Sequence, residues 1–303
     1  HLDDHSVATM VKHFSGGGPQ AEGRDAHFPY GREQVYPGNN FEYHLIPFSE
    51  GAFPAKPAQI MPYYGIPVGP TEEAVGFAFN REIITDMLRG RFGFEGVVCS
   101  DWGLLTDHYL LGAVLLKKAS AWGVEHLSLE QRIVKLLDAG IDQFGGEYIP
   151  EVLVELVEQG LVTEERLELS VRRILLDKFR LGLFDNPYVD ESSATKIVGN
   201  KAAREAGVAA QRKSLVLLKN GDGEPILPLK LDEAPRKKLY LENIDADLVK
   251  VFADVVSDPI EADLAVIRLD APYYPNPGIF DSNFHSGDLD FKGAEKERLL
   301  KLV

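Results

Sequence analysis

Val97-Val98-Cys99-Ser100-Asp101-Trp102 (residues 97–102) is the stretch that decides the fold class of this chain. A helical pattern runs from Asn80 to Arg89 before it, and a break at 90–96 separates the helix from the apolar run. A short, continuously apolar strand is typical of a parallel sheet buried on both faces. The same alternation of strands and helices recurs over residues 75–188. It predicts an α/β fold with Asp101 at the C-terminal end of a strand.

The residues on either side continue this pattern. A helix is expected around Glu130 to Ala139, followed by a short strand and polar turn over 140–146. Amphipathic helices are predicted at 150–159 and 164–180. Gly182 and Pro187 then supply helix stop signals in the segment 181–188, where a domain can close.

A second α/β pattern begins after a helix near residues 195–211. Strands are predicted at 214–218, 239–241 and 263–269. The segment 270–290 that follows is a long loop rich in Pro, Gly and Asp, of the kind tied to function or mobility in compact domains. We place the domains at 1–190 and 213–303, with a linker helix at 191–212.

The composition excludes several classes of partner. The formal net charge is -15, so long-range repulsion makes nucleic acid and anionic membrane surfaces poor partners. No apolar run reaches the roughly 18 residues of a membrane-spanning helix. Cys99 is the single cysteine, which excludes an internal disulfide and predicts a buried, inert thiol. The cysteine count does not decide the cellular compartment of the protein.

Both ends of the sequence read as internal to a longer chain. The start, residues 1–5, has neither the basic residues nor the apolar core of a signal peptide. The last residues, 301–303, continue an amphipathic helical pattern without a cap.

Asp101 is the first candidate for chemistry. In barrel enzymes, a carboxylate at the C-terminal end of a strand points toward the mouth where the reactions take place. The structural alternative is that Ser100 and Asp101 cap a following helix. Trp102 favours the functional interpretation, because a flat aromatic wall beside a carboxylate is a surface on which sugar rings stack.

Two further clusters follow short apolar stretches. Lys12 and His13 precede a Gly triplet at 16–18, and they can serve one ligand only if the strand ends and turns there. The triplet lacks the spacing of a phosphate-binding loop, so a plain turn is the stronger interpretation. The stretch 58–65 holds Met61 and Tyr64, whose default assignments are a core methionine and a surface tyrosine.

Together these motifs resemble glycoside hydrolase family 3, the β-glucosidase and exo-glucanase family, over nearly the whole chain. The motifs are Lys12-His13-Phe14 with its Gly triplet, Asp25-Ala26-His27-Phe28, Tyr36-Pro37-Gly38, residues 93–102, Ala139-Gly140-Ile141-Asp142, residues 172–184 and residues 214–220.

The resemblance implies roles for particular residues. Asp101 becomes the catalytic nucleophile of a retaining, exo-acting β-glycosidase. Substrate binding falls to Lys12, His13, Met61, Tyr64 and Trp102, with Tyr64 beside the nucleophile. The substrate is a β-linked oligosaccharide or glucoside, and neither a cofactor nor a metal is implied.

The resemblance also implies a fold that this chain only partly covers: the C-terminal part of a (β/α)8 TIM-like barrel, then the start of an α/β sandwich domain. The absent first strands normally contribute an Asp and an Arg that hold the terminal sugar. Half a parallel barrel has open edges. We therefore expect the remaining strands to come from the rest of the protein or from another chain.

The acid/base residue is the weakest match. Family members with two domains usually place a Glu on a loop of the second domain, whereas the corresponding loop here offers Asp281, Asp288 and Asp290 near His285. We select Asp281, with a residue beyond Val303 as the alternative. The N-acetylglucosaminidase branch uses a His-Asp dyad on a barrel loop, but its motif has a His where this chain has Gly17, which argues against amino sugars.

Three alternatives are carried forward. A β-xylosidase would share the mechanism. A carbohydrate-binding pseudo-enzyme or assembly subunit would keep the nucleophile strand without the acid. A metal-dependent barrel hydrolase would use His1, Asp3 and His5, although a chain end is a poor place for ligands that need rigid support.

Overall fold

The computed structural model describes residues 2–110, 114–230, 234–274, 276, 281–284 and 290–302. The described chain is mixed α/β with parallel sheets, as predicted. It separates into two units, His1–Pro187 with Tyr273–Asp288, and Tyr188–Pro272 with Leu289–Val303. The barrel and sandwich assignments, and the domain limits drawn from the sequence, stay predictions.

Among the residues that the structure describes, the first unit contains seven strands. They are β1 (Met10–Phe14), β2 (Glu33–Gln34), β3 (Gln59–Pro62), β4 (Ile66–Pro67), β5 (Val97–Val98), β6 (His108–Leu110) and β7 (Val114–Lys117). Strands β1, β3 and β5 form a parallel sheet in that spatial order. A parallel bridge between Cys99 and Gln143 extends the sheet beyond β5. Because the strands are parallel, their carboxyl ends meet at one edge.

Helices cover this sheet. They are α1 (Phe41–Ile46), the helical segments Pro47–Ala52 and Glu82–Arg91, α2 (Leu129–Ala139), α3 (Pro150–Glu158) and α4 (Glu164–Arg180). The predicted helices at 130–139, 150–159 and 164–180 are confirmed. Helix α2 begins with a capping box in which Ser128 and Gln131 satisfy each other's backbone N–H groups. The β-strand predicted over 140–146 is reduced to the single bridge at Gln143.

The core lies between the sheet and these helices. Strand residues Phe14, Ile60 and Val98 are fully buried. Ile83 and Leu88, from the segment before β5, are also fully buried, which explains the apolar spacing of 80–89. Two-sided burial therefore follows from the uninterrupted apolar run that identified β5 in the sequence.

The second unit contains another three-stranded parallel sheet, with β8 (Lys238–Glu242) between β10 (Leu264–Ile267) and β9 (Asp254–Val256). Its helices are α5 (Glu191–Ile197), α6 (Lys201–Lys213) and α7 (Gly293–Leu302). The strands predicted at 239–241 and 263–269 are confirmed. The helix predicted near 195–211 is interrupted, because the side chain of Asn200 caps a new helix by accepting from the Ala203 N–H.

The strand predicted at 214–218 is wrong. Leu215 and Leu218 are 81% and 93% exposed, and the segment joins no described sheet. An apolar run becomes a strand only where partner strands satisfy its backbone groups, and the described part of the chain offers it none. Within the described residues, no helix combines the length and apolarity needed to cross a bilayer.

Candidate active site

The carboxyl edge of the β1–β3–β5 sheet gathers the residues singled out in the sequence. His13 lies near the end of β1, Tyr63 and Tyr64 follow β3, and Asp101 follows β5. The predicted turn after β1 is confirmed, since the Gly16 N–H donates to the carbonyl of His13 at 2.7 Å. The sheet thus delivers a carboxylate, an imidazole and two phenols to one place.

Asp101 is buried, and its two carboxylate oxygens have different surroundings. Oδ1 accepts a 2.7 Å hydrogen bond from the Trp102 N–H. Oδ2 lies 3.3 Å from Nε2 of His13, yet receives no well-directed hydrogen bond from any described group. An oxygen whose lone pairs are not committed is the kind that a nucleophile needs.

Opposing effects set the protonation of Asp101. Burial raises the pKa of this carboxyl, whereas the contact with His13, the Trp102 N–H and the Tyr64 hydroxyl lower it. The lowering effects win, so the pKa lies below its ordinary value and the group is a carboxylate at neutral pH. Residues 102–106 form turns and bends rather than a helix, so Asp101 is not the cap of a following helix.

Trp102 is held in place by two glycines. Its ring is half exposed and lies against Gly146, where an added Cβ would overlap Cδ1 of the indole. Gly145 lies against the backbone of residues 100 and 101, and its N–H donates to Ser100 Oγ at 2.9 Å. The indole is therefore fixed on one side and open on the other, as a stacking wall requires.

Tyr63 and Tyr64 are buried, which corrects the expectation of a surface tyrosine at 64. The Tyr64 hydroxyl donates a 2.6 Å hydrogen bond to the carbonyl of Trp102. Burial and the nearby Asp101 charge raise the pKa of Tyr64, so its phenol keeps the proton. Met61 is buried as expected, opposite Lys12 in the register of β1 and β3.

Lys12 and His13 point to different surroundings. His13 reaches Asp101, whereas Lys12 is exposed and forms no ion pair with a described residue. Of the two adjacent residues, the described contacts place only His13 at the nucleophile candidate. The role of Lys12 stays a prediction.

The structure adds Asp25 and His27, which the sequence offered only as a motif. Oδ1 of Asp25 lies 2.6 Å from His27 Nδ1 and accepts from the His27 N–H at 2.7 Å. Burial raises the pKa of Asp25, but the contacts with His27 lower it by more, so the net shift of the pKa is downward. The His27 ring is 4.6 Å from the Tyr64 ring. The spacing of two residues was the available signal, because an Asp side chain commonly accepts from the backbone N–H two residues on in a turn, as Asp25 does here.

Lys117 was also missed. Its ammonium lies 5.1 Å from the centre of the Tyr64 ring. Nothing in the local sequence, Leu115-Leu116-Lys117-Lys118, distinguishes it from its exposed neighbour.

Asp281, the predicted acid/base residue, belongs to the same structural unit as Asp101. The described neighbour of its carboxylate is Tyr30. Burial first, and then the charge of Asp281, raise the pKa of Tyr30 to about 12. Phe284, three residues on, packs against His27 with ring centres 5.2 Å apart. No contact between Asp281 and Asp101 is described. His285 and Asp288 lie outside the described residues, and Asp290 falls in the second unit.

The chain start gives no support to a metal site. Asp3 Oδ1 accepts from Ser6 Oγ at 2.6 Å and from the His5 N–H at 3.1 Å, all at exposed positions. His1 lies outside the described residues. Among the described residues, no three His, Cys, Asp or Glu side chains are grouped so that they could hold a metal ion.

Comparison with known proteins places the chain in a family. The sequence profile of the glycosyl hydrolase family 3 N-terminal domain matches residues 1–176. The chain is 50% identical over 303 residues to beta-glucosidase C of Emericella nidulans, covering 99% of this chain and 48% of that protein. It is 39% identical over 306 residues to a periplasmic beta-glucosidase/beta-xylosidase of Dickeya chrysanthemi, covering 96% and 46%.

Solved structures agree on the fold. Beta-glucoside phosphorylase BglX matches with a TM-score of 0.61 at 19% identity, over 86% of this chain and 51% of that one. The chain spans about half the length of the curated relatives it matches. The profile match, over more than half of the chain, shows that the chain belongs to glycosyl hydrolase family 3.

Proposed function

We propose that the protein carrying this chain is a retaining, exo-acting β-glycosidase of the β-glucosidase type that uses Asp101 as its nucleophile. One observation carries the proposal: a buried carboxylate, with its pKa lowered, presents an oxygen without a directed hydrogen bond at the carboxyl edge of a parallel sheet. Relatives named beta-glucosidase support the substrate class. The substrate is a β-linked oligosaccharide or glucoside.

The reaction takes two displacements. Oδ2 of Asp101 bonds to the anomeric carbon as the bond from that carbon to the leaving oxygen breaks, and an acid donates a proton to that oxygen. The residue that donated this proton then acts as a base and deprotonates a water molecule. The water cleaves the glycosyl ester, which restores the original configuration of the anomeric carbon. His13 and Lys12 bind sugar hydroxyls, Trp102 stacks on the ring, and Met61 and Tyr64 complete the pocket. No cofactor is required.

For the acid/base residue, we propose Asp281, on the loop after β10. The first unit includes this residue, and Phe284 of the same segment packs on His27. His27, hydrogen-bonded to Asp25 and 4.6 Å from Tyr64, is the second candidate.

Leaving groups distinguish these two residues. Removing the acid should cost far more on an alkyl β-glucoside than on 4-nitrophenyl β-glucoside, whose leaving group needs little protonation. Asp281→Ala should show this difference, with His27→Ala as the comparison. Equal losses on both substrates would remove Asp281 from the role.

For the fold, we propose that residues 1–190 are the C-terminal part of a (β/α)8 barrel, that 191–212 link the domains, and that 213–303 begin an α/β sandwich. Within the described residues, no strand pairs with the outer side of β1, an edge that further strands close in a barrel. These strands come from the rest of the protein or from another chain. The charge of -15 argues against nucleic acid and anionic membranes as partners.

The function is tested on the full protein with 4-nitrophenyl β-glucoside, comparing the wild type with Asp101→Asn. We expect a loss of about a thousandfold or more in kcat, the scale seen when a covalent nucleophile is removed. Full activity in the Asn variant would contradict the proposal. Faster hydrolysis of 4-nitrophenyl β-xyloside than of the β-glucoside would identify a β-xylosidase, an activity that one relative's name includes. Sugar binding without hydrolysis would identify a pseudo-enzyme or assembly subunit. Inhibition by a chelator would identify a metal-dependent enzyme.

A further inference from the structure

The hairpin of β6 and β7 is attached to the turn that follows Asp101. A Cβ on Gly103 would overlap Nε2 of His108, so this imidazole packs directly on the turn. At the other end of the hairpin, the Ala119 N–H donates to Asp107 Oδ1 at 2.8 Å, and the Ser120 N–H donates to the Gly103 carbonyl at 2.8 Å. Both ends of the hairpin are therefore fixed to the segment that carries Asp101.

This attachment places Lys117 at the site. His108 and Lys117 are paired in the register of the hairpin. The Lys117 side chain is partly buried, with its ammonium 5.1 Å from the centre of the Tyr64 ring, whose hydroxyl holds the Trp102 carbonyl at 2.6 Å. No described carboxylate lies within ion-pair distance of Lys117. Within the described part of the chain, the Lys117 charge therefore has no ion-pair partner, yet its side chain is not fully exposed to solvent.

Two carboxylates lie within electrostatic reach of this ammonium. Burial lowers the pKa of Lys117, and the charges of Asp101 and Asp25 oppose that effect. The Lys117 charge in turn helps to lower the pKa of Asp25. The other titratable groups around Asp101 are His13, Tyr63, Tyr64 and Cys99. Of the described groups named here as acting on Asp101 and Asp25, Lys117 is the only lysine or arginine. Lys12, to which the proposed function assigns sugar hydroxyls, is exposed.

We propose that Lys117 is a positioning residue that sets the charge of this site: it balances Asp101 and Asp25 and disfavours cationic ligands relative to neutral ones. The inference rests on the proposed function, because it assumes that the sugar binds against Asp101. It deepens that function by assigning the site a preference for glycosides without a positive charge near the reacting carbon. A lysine placed for packing alone would have no such effect.

The test compares two ligands of one shape, protonated 1-deoxynojirimycin and neutral glucose, by calorimetry on the full protein. Lys117→Met removes the charge and keeps the chain length, Lys117→Arg restores the charge, and Lys118→Met is the matched control at the exposed neighbour. Lys117→Met should tighten the cationic ligand about fivefold relative to glucose, as expected for one screened charge at this range. Lys117→Arg and Lys118→Met should change the ratio less than twofold.

The pH profile gives a second readout. Without the ammonium, the pKa of Asp101 rises, so the acid limb of kcat/KM should move up by about half a pH unit in Lys117→Met. An unchanged ligand ratio in Lys117→Met, or an equal shift in Lys118→Met, would overturn the inference while leaving the hydrolysis by the wild type intact. If the wild type neither hydrolyses the glucoside nor binds either ligand, the proposed function fails as well.

Discussion

Asp101 and Asp142 are two buried carboxylates near the same strand, and their surroundings are opposite. Asp142 is 8% exposed and Asp101 is 7% exposed. Asp142 accepts four hydrogen bonds, from Arg89 at 2.7 Å, Arg173 at 2.7 Å, Ser170 at 2.8 Å and the Val98 N–H at 3.0 Å. Asp101 accepts one, from its neighbour Trp102. Similar burial therefore serves different ends: complete pairing makes an anchor, and incomplete pairing leaves an oxygen available for the proposed reaction.

The pairing of Asp142 explains its position in the chain. It joins the segment after α2 to β5 through Val98, and it joins both to α4 through Ser170 and Arg173. The anchor thus fixes β5, the strand that precedes Asp101. We therefore expect stability to depend on Asp142 and the proposed chemistry to depend on Asp101.

The largest effect on stability is expected for Asp142→Asn. Removing this charge leaves Arg89 and Arg173 partly buried without their partner, so the free energy of unfolding should fall by about 3 kcal/mol. Urea titration of the full protein measures this change, with the exposed Glu158→Gln as control. A loss below about 0.5 kcal/mol, the usual range for surface changes, would show that Asp142 is no anchor.

Gly146→Ala should mainly affect the chemistry. Gly146 and Gly160 both have φ of 69°, a region that disfavours residues with a Cβ. Only at Gly146 would the Cβ overlap Trp102, since nothing lies within 4 Å at Gly160. We expect Gly146→Ala to lower kcat/KM about tenfold by displacing the indole, and Gly160→Ala to leave it within twofold. Equal effects of the two substitutions would exclude a role for the indole's placement.

Much of the fold was readable from the sequence, because its signals are local. The apolar run at 97–100 predicted β5, and the spacing of apolar residues predicted α2, α3 and α4. The failure at 214–218 has a physical cause: the apolar pattern of a strand does not reveal whether partner strands exist. Likewise, the break between α5 and α6 depends on a single cap at Asn200.

The site was only partly readable. Asp101 and Trp102 stand next to a recognisable strand, and His13 precedes a turn. In contrast, Lys117 reaches the site through the pairing of a hairpin, and Gly146 matters because a distant indole lies on it. Such contacts between distant residues leave no periodic signal in a sequence. The burial of Tyr63 and Tyr64 likewise leaves no periodic signal in the sequence.

The pH dependence should follow Asp101. Because its pKa is lowered, the carboxylate persists below the ordinary value of 3.8, and kcat/KM should fall only as the pH drops through the lowered pKa. The contact with His13 contributes to this lowering, so His13→Ala should move the acid limb up by about one pH unit. The exposed His126→Ala is the control. An unmoved limb in His13→Ala would remove the contact from the account.

The smallest effect on stability is expected for Asp101→Asn. Its single hydrogen bond and its contact with His13 suggest a change in unfolding free energy within about 1 kcal/mol at pH 6. A carboxyl with a lowered folded pKa stabilises the protein above its unfolded pKa and loses that contribution as pH falls through the folded pKa. Any excess in unfolding free energy of the wild type over Asp101→Asn should therefore shrink below pH 3.8. A loss as large as that of Asp142→Asn would contradict the comparison.

Covalent trapping tests the central claim most directly. A 2-deoxy-2-fluoro-β-glucoside with a good leaving group slows both displacements, because fluorine disfavours the oxocarbenium-like transition state, yet the leaving group still allows the first step. Mass spectrometry of the digested full protein should find one fluoroglucosyl group on the peptide containing Asp101, and none in Asp101→Asn. A stable label on another carboxylate, with Asp101 unmodified, would contradict the account.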